Sequence, residues 1–230
     1  MCKSVKQTNL YVDGFNLYYS AVRGTQYKWL NIATLCQILL PHINIHRIKY
    51  FSARVKASKH DPDAPTRQDF YLRACETIPN LEVIEGHFVR WPRLMPQYPL
   101  AYPNYPRFDE PPIRVQVQRT EEKGSDVNLA THLLYDCFTK DFDEAVVISN
   151  DSDLALPIEI VRTKLQRNVV IINPHRTEMV KKYKNCRISQ DLKRVATYCI
   201  HSINTKVLAS SQFPSTLTDS KGSFSKPATW

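Results

Sequence analysis

Ala145-Val146-Val147-Ile148-Ser149-Asn150-Asp151-Ser152-Asp153 is four apolar residues running straight into two carboxylates. A short, unbroken run rich in β-branched residues fits a strand covered on both faces, the kind found in parallel sheets. Working outward, Asn9-Leu10-Tyr11-Val12 ends on Asp13 in the same way, and Val169-Val170-Ile171-Ile172 supplies a third buried run. Further strands are expected over 45–51, 81–89 and 113–118, the last with Ile113, Val115 and Val117 on one side. Helical patterns fall between them: from Phe15, over 32–40 (stopped by Pro41), over 66–78 with Phe70, Ala74 and Ile78 four apart, and over 125–138. Another helix carries Ile158, Val161 and Leu165 on one face, and one or two short basic helices cover 177–195. Alternating strands and helices predict an α/β fold: a three-layer α/β/α sandwich with a central, mostly parallel sheet, Rossmann-like in its wiring.

That architecture gathers four aspartates distant in sequence. Asp13, Asp151 and Asp153 follow apolar runs, and Asp126 opens the helix at 125–138. Ligand sites of open α/β sheets lie at the carboxyl ends of their strands. Carboxylates crowded there repel one another unless cations neutralise them, and hard oxygen ligands suit Mg²⁺ or Mn²⁺. The reading is metal-assisted phosphodiester chemistry. Taken singly, Asp13 and one of Asp151 and Asp153 also suit helix caps. At Asp126 the natural cap is its neighbour Ser125. Glu121 and Glu122 are either solvated or supply one more ligand.

Charge points to a polyanion. The 230 residues carry a net charge of +9. Between Arg162 and Arg194, ten Lys and Arg stand against Glu178 and Asp191, so this segment holds nearly all of that excess. It is either a solvated helical surface or a face that tracks phosphates. The stretch 91–112 holds seven prolines with Trp91, Tyr98, Tyr102, Tyr105 and Phe108, and is expected to be an irregular insertion. Its aromatics suit either stacking on unpaired bases, with Arg93 and Arg107 on phosphates, or packing as a flap on the domain or on a second copy in a homodimer. The main domain is expected to span 1–200, followed by a flexible or loosely docked tail over 201–230. The six cysteines lack CxxC spacing, which speaks against zinc and disulfides. Neither a leader-like apolar stretch nor a membrane-length run is present, and a cytoplasmic setting is the expectation.

Three blocks carry a family resemblance. Tyr11-Val12-Asp13-Gly14-Phe15-Asn16, Lys123-Gly124-Ser125-Asp126-Val127, and Val147 to Leu154 with Pro157 resemble the signature blocks of NYN domains, PIN-like ribonucleases, and most of all the bacterial LabA-type subgroup. The resemblance spans about residues 8–195 in the family's order. It implies a PIN-like sandwich and a Mg²⁺- or Mn²⁺-dependent nuclease acting on RNA, with acidic metal ligands at Asp13, Asp126, Asp151 and Asp153. Asn150 stands where the third block often has glycine, and the proline-rich stretch is long.

The candidate substrate contacts are Asn16, Lys123, Ser149 and Asn150 beside the carboxylates, with Lys181, Lys182, Lys184 and Arg187 in the basic segment. His132, one turn into the helix past Asp126, reads as structural. Two other classes compete. An RNA-binding regulator would keep the fold with little turnover. An enzyme of nucleotide-linked sugars or of phosphorylated substrates would use Asp151 and Asp153, but leaves Asp126 and the basic segment without a role.

Overall fold

The computed structural model describes residues 6–228 and Trp230. Strands β1 (Gln7–Asp13), β2 (Asn44–Ala53), β3 (Leu81–Pro96), β4 (Arg114–Lys123), β5 (Glu144–Ile148), β6 (Asn168–Ile172) and β7 (Tyr198–Ile200) form one sheet of seven, in the order β4-β3-β2-β1-β5-β6-β7. All neighbours pair in parallel except β3 with β4. Helices α1 (Gly14–Leu17, continued by a π-helical turn over Tyr18–Val22), α2 (Ile32–Leu39), α3 (Ala64–Cys75), α4 (Ser125–Phe138), α5 (Ala155–Thr163), α6 (Thr177–Lys182) and α7 (Gln190–Val195) connect them.

The apolar runs are continuous because each strand feeds two cores. Leu10 and Val12, Val146 and Ile148, and Val170 and Ile172 point to the layer of α1 and α2. Tyr11, Ala145, Val147, Val169 and Ile171 point to the opposite layer with α4, α5 and α7. Alternation along a strand with both faces apolar is what a sandwich demands. The chain leaves β1 towards β2 on one side and returns to β5 on the other. The carboxyl ends of β1 and β5 therefore flank the topological switch point, where the fold opens a crevice.

Three elements differ from expectation. The stretch 91–112 is not irregular throughout: β3 continues through Pro92 to Pro96, paired with β4 as a long antiparallel ribbon. Past Gly86 that part of β3 has only β4 as a partner, so one edge stays open and proline is tolerated. The ribbon's loop, 97–113, exposes Tyr98, Tyr105 and Phe108. Helix α3 stops at Cys75, short of Ile78, in tight turns where the Ile78 N–H donates to the Cys75 carbonyl. Lastly, the tail is folded. Helix α8 (Thr205–Ser210) and the hairpin β8 (Thr216–Asp219)–β9 (Gly222–Ser225) bury Leu208, Phe213 and Phe224. The indole of Trp29 meets the rings of Phe213, Phe224 and Trp230, and Arg73 makes a two-pronged pair with Asp219.

Cys36, Cys75, Cys137, Cys186 and Cys199 are free thiols, and Cys2 lies outside the described residues. No helix among the described residues is long and apolar enough to cross a membrane.

Candidate active site at the carboxyl ends of the first and fifth strands

Asp13 is the last residue of β1 and only 5% exposed. Its Oδ1 accepts the Asn16 N–H at 2.9 Å, capping α1, and its Oδ2 accepts the Ser149 hydroxyl at 2.9 Å. Burial raises its pKa against the lowering effect of those two bonds, and Asp151 and Glu122 push it the same way as burial. Gly14 has no left-handed backbone to justify it. It is glycine because of crowding: a Cβ there would sit 2.7 Å from the Phe51 carbonyl oxygen and from the Tyr50 ring.

The loop after β5 is braced around Ser149 and Asn150. Ser149 is fully buried, and its oxygen also accepts the Asp151 N–H at 3.1 Å. The enclosed hydroxyl thus joins the Asp13 carboxylate to the backbone of Asp151. Asn150 does what a glycine has no side chain to do. Its Nδ2 donates to the Arg187 carbonyl at 3.0 Å and its Oδ1 accepts the Ser189 N–H at 2.8 Å. Its own N–H donates to Asn16 Oδ1 at 3.2 Å, so Asn16 ties the two strand ends together. Asp151 accepts the Asp153 N–H at 3.0 Å and caps the short turn that precedes α5.

On the other side of the crevice, Asp126 lies in the first turn of α4. Gly124, at φ +101°, precedes the helix in the left-handed region. Ser125 is not the cap. Its N–H and hydroxyl both go to Glu122 Oε1, at 3.1 and 2.8 Å. Glu122 and Glu121 part ways because neighbours on a strand face opposite sides. Glu121 pairs with Arg119 and with Lys123 at 2.8 Å, which occupies the Lys123 ammonium. Glu122 turns inward, and Gly86 makes room for it, since a Cβ there would lie 2.6 Å from Oε1.

The electrostatic result is concentrated on Asp126. The residue is solvent-exposed, yet partial burial of its carboxyl, then Asp13, Asp151, Glu122 and Asp153, raise its pKa from 3.8 to about 6. None of Asp13, Glu122, Asp126, Asp151 and Asp153 pairs with a Lys, Arg or His among the described residues. The donor set is all oxygen and short of positive charge, which fits a hard divalent cation in its chemistry. Among the described residues, however, no three acidic, imidazole or thiol groups are placed to hold one ion as they stand. His132 belongs elsewhere: its Nδ1 accepts from Lys49 Nζ at 3.1 Å, beside the buried Lys49–Asp136 pair.

The basic residues divide. Lys181, Lys182 and Lys184 are exposed on α6 and the turn after it, Lys182 lying 5.0 Å over the Tyr183 ring. Arg187 is held beside the acidic loop through the bond from Asn150. The sequence leaves Glu122 level with Glu121, each solvated or a further ligand, and gives no sign of the roles of Gly86 or of the tethering by Asn150. Strand register alone would have separated Glu122 from Glu121, whereas the other two depend on contacts between distant segments.

Comparison with known proteins agrees with this architecture. The model of the family described as NYN domain matches residues 7–203. The 6-hydroxy-3-succinoylpyridine 3-monooxygenase HspA of Pseudomonas putida (strain DSM 28022 / S16) is 29% identical, over 97% of this chain and 75% of its own. The crystal structure of VPA0982, a protein of unknown function from Vibrio parahaemolyticus RIMD 2210633, superposes with a TM-score of 0.50 at 15% identity. That likeness covers 87% of this chain and 95% of the other, and concerns the fold.

Proposed function

Because the chain belongs to the NYN domain family, with its nuclease-type fold, we propose that it is an endoribonuclease. It would hydrolyse RNA phosphodiester bonds at the crevice between β1, β5 and α4 with Mg²⁺ or Mn²⁺ bound. One observation carries this reading: five carboxylates without a cationic partner face one crevice at the switch point, where partial burial and then the other four raise Asp126 to about 6. Asp13, Asp126, Asp151 and Asp153, with Glu122, are the residues that would hold the metal. When bound, such an ion lowers the pKa of a water and stabilises charge on the leaving oxygen. Ser149 and Asn16 fix the orientation of Asp13, and Asn150 sets the acidic loop against the basic segment. Lys181, Lys182, Lys184 and Arg187 would receive the RNA backbone, giving salt-sensitive and mostly sequence-independent affinity. The aromatic loop 97–113 is a further surface for unpaired bases or for a second copy of the chain.

The test uses Asp126→Asn with Asp153→Asn. Neither carboxylate accepts a hydrogen bond within the described residues, so charge changes while the bracing around Asp13 stays. End-labelled single-stranded RNA should be cut by the wild type with Mn²⁺ or Mg²⁺, spared in EDTA, and spared by the double variant, which still binds it. Tight binding without cutting by the wild type would support the RNA-binding regulator instead. A small-molecule reading rests on the monooxygenase similar over 97% of this chain. Oxygen uptake dependent on a hydroxypyridine substrate, with RNA left intact, would favour it.

A further inference from the structure

On the α1 side of the sheet, lined by Gly14, Leu17 and Tyr18 of α1 and its continuation, lies a cavity of about 340 Å³, within the range of small-molecule sites. Tyr18, Tyr50, Tyr71 and Trp230 are among its walls. Tyr50 and Tyr71 meet at 6.2 Å edge to face, and Tyr71 and Trp230 at 5.6 Å. Tyr50 is 5% exposed, lines the cavity, and its hydroxyl has no hydrogen-bond partner among the described residues. The contrast with Tyr71 is informative, because its hydroxyl is satisfied by the Leu30 carbonyl at 3.0 Å. The Tyr50 ring is buried while its hydroxyl opens on the cavity without a protein partner, so it is free to bond a group that enters.

Charge at the cavity is lopsided. Arg23, Lys28 and Arg67 line it against one carboxylate, Asp61. Arg67 is committed to Asp61, donating to both of its oxygens at 2.6 and 2.5 Å. Arg23 and Lys28 have no acidic partner among the described residues, and Arg23 lies 5.1 Å over the Tyr19 ring at the rim. Aromatic walls favour a flat ring, and spare cations at the rim favour an anion attached to it. The RNA reading of the acidic crevice uses none of these groups.

We propose that this cavity binds a planar aromatic or heteroaromatic ring carrying an anionic group. The Tyr50 hydroxyl meets the ring's polar edge, and Arg23 and Lys28 hold the anion. Two sources share that chemistry: a nucleotide with its base and phosphate, and a free aromatic acid. The site stands whether or not the carboxylates cut RNA, so it is tested in EDTA.

Isothermal titration calorimetry of the full chain compares uridine monophosphate and nicotinate with their parts: uridine, nicotinamide, inorganic phosphate and acetate. At least one ring-plus-anion probe should saturate with a Kd below about 1 mM. It should bind about tenfold more tightly than either of its parts. The probe that binds more tightly identifies the source. Arg23→Gln/Lys28→Gln should weaken that probe by about tenfold, and the conservative Tyr50→Phe by several-fold, with circular dichroism unchanged. The proposal is overturned if neither ring-plus-anion probe saturates. It is equally overturned if affinity is unchanged in both the charge variant and Tyr50→Phe.

Discussion

Asp126 shows what a single residue at this site does to the protein. Its carboxyl has been raised from 3.8 to about 6, so it releases its proton later in the folded chain than in the unfolded one. Between about pH 4 and pH 6 the folded state therefore holds more protons, and stability falls as pH rises through that window. Above it the destabilisation is complete. In EDTA, Asp126→Asn should be the more stable protein at pH 7 by on the order of 1 kcal/mol, discounted for the residue's exposure. Urea unfolding should show the gap closing as pH falls below about 4; a gap independent of pH would refute the assignment. The position of Asp126 was legible, as was that of Asp13, Asp151 and Asp153, because each ends or opens an apolar run. What these residues lean on was not. Ser149 and Asp13 are 136 positions apart, and Asn150 and Arg187 are 37 apart, so no local pattern announces either contact.

Between elements, β2 and α4 are joined by a buried ion pair. Lys49 Nζ lies 2.7 Å from Asp136 Oδ2, and the same oxygen accepts the Tyr11 hydroxyl at 2.8 Å. Lys49 stands between Ile48 and Tyr50 in a strand, where a lysine reads as an outward, solvated side chain. It is 7% exposed, because α4 lies across that face of β2 and supplies the carboxylate. Removing one partner leaves the other charge buried, so Asp136→Ala should cost about 3–5 kcal/mol in chemical unfolding. Lys49→Met with Asp136→Leu should recover part of that loss, since apolar packing replaces a buried pair at little net cost but leaves the Tyr11 hydroxyl without its acceptor. The ribbon of β3 and β4 predicts the opposite. Beyond Gly86 it pairs with itself, and its loop buries little, so replacing 97–113 by a short turn should shift Tm by only a few degrees. A large drop would mean that the loop supports the core.

For the molecule as a whole, the layer order could be read because buried parallel strands advertise themselves, and the switch point followed from where their carboxylates fall. The closing of the first layer could not. The tail is rich in Ser, Thr and Lys, which hides how few apolar residues are needed to cover one tryptophan. Leu208, Phe213 and Phe224 are spaced along it without a helical or strand period, yet all three are buried on the layer that holds Trp29. The NYN domain match stops at residue 203, but this core does not. Each of the three side chains contributes about 1.5–3 kcal/mol by its burial. Together they rival the whole net stability of a domain, about 5–15 kcal/mol. A chain ending at residue 203 should therefore fail to show a cooperative thermal transition, while Lys221→Ala, at an exposed position in the turn between β8 and β9, should melt as the wild type does. If the shortened chain melts cooperatively within a few degrees of the full one, the tail is an ornament on the sandwich as far as stability goes, and its part in the aromatic cavity is confined to the wall that Trp230 supplies.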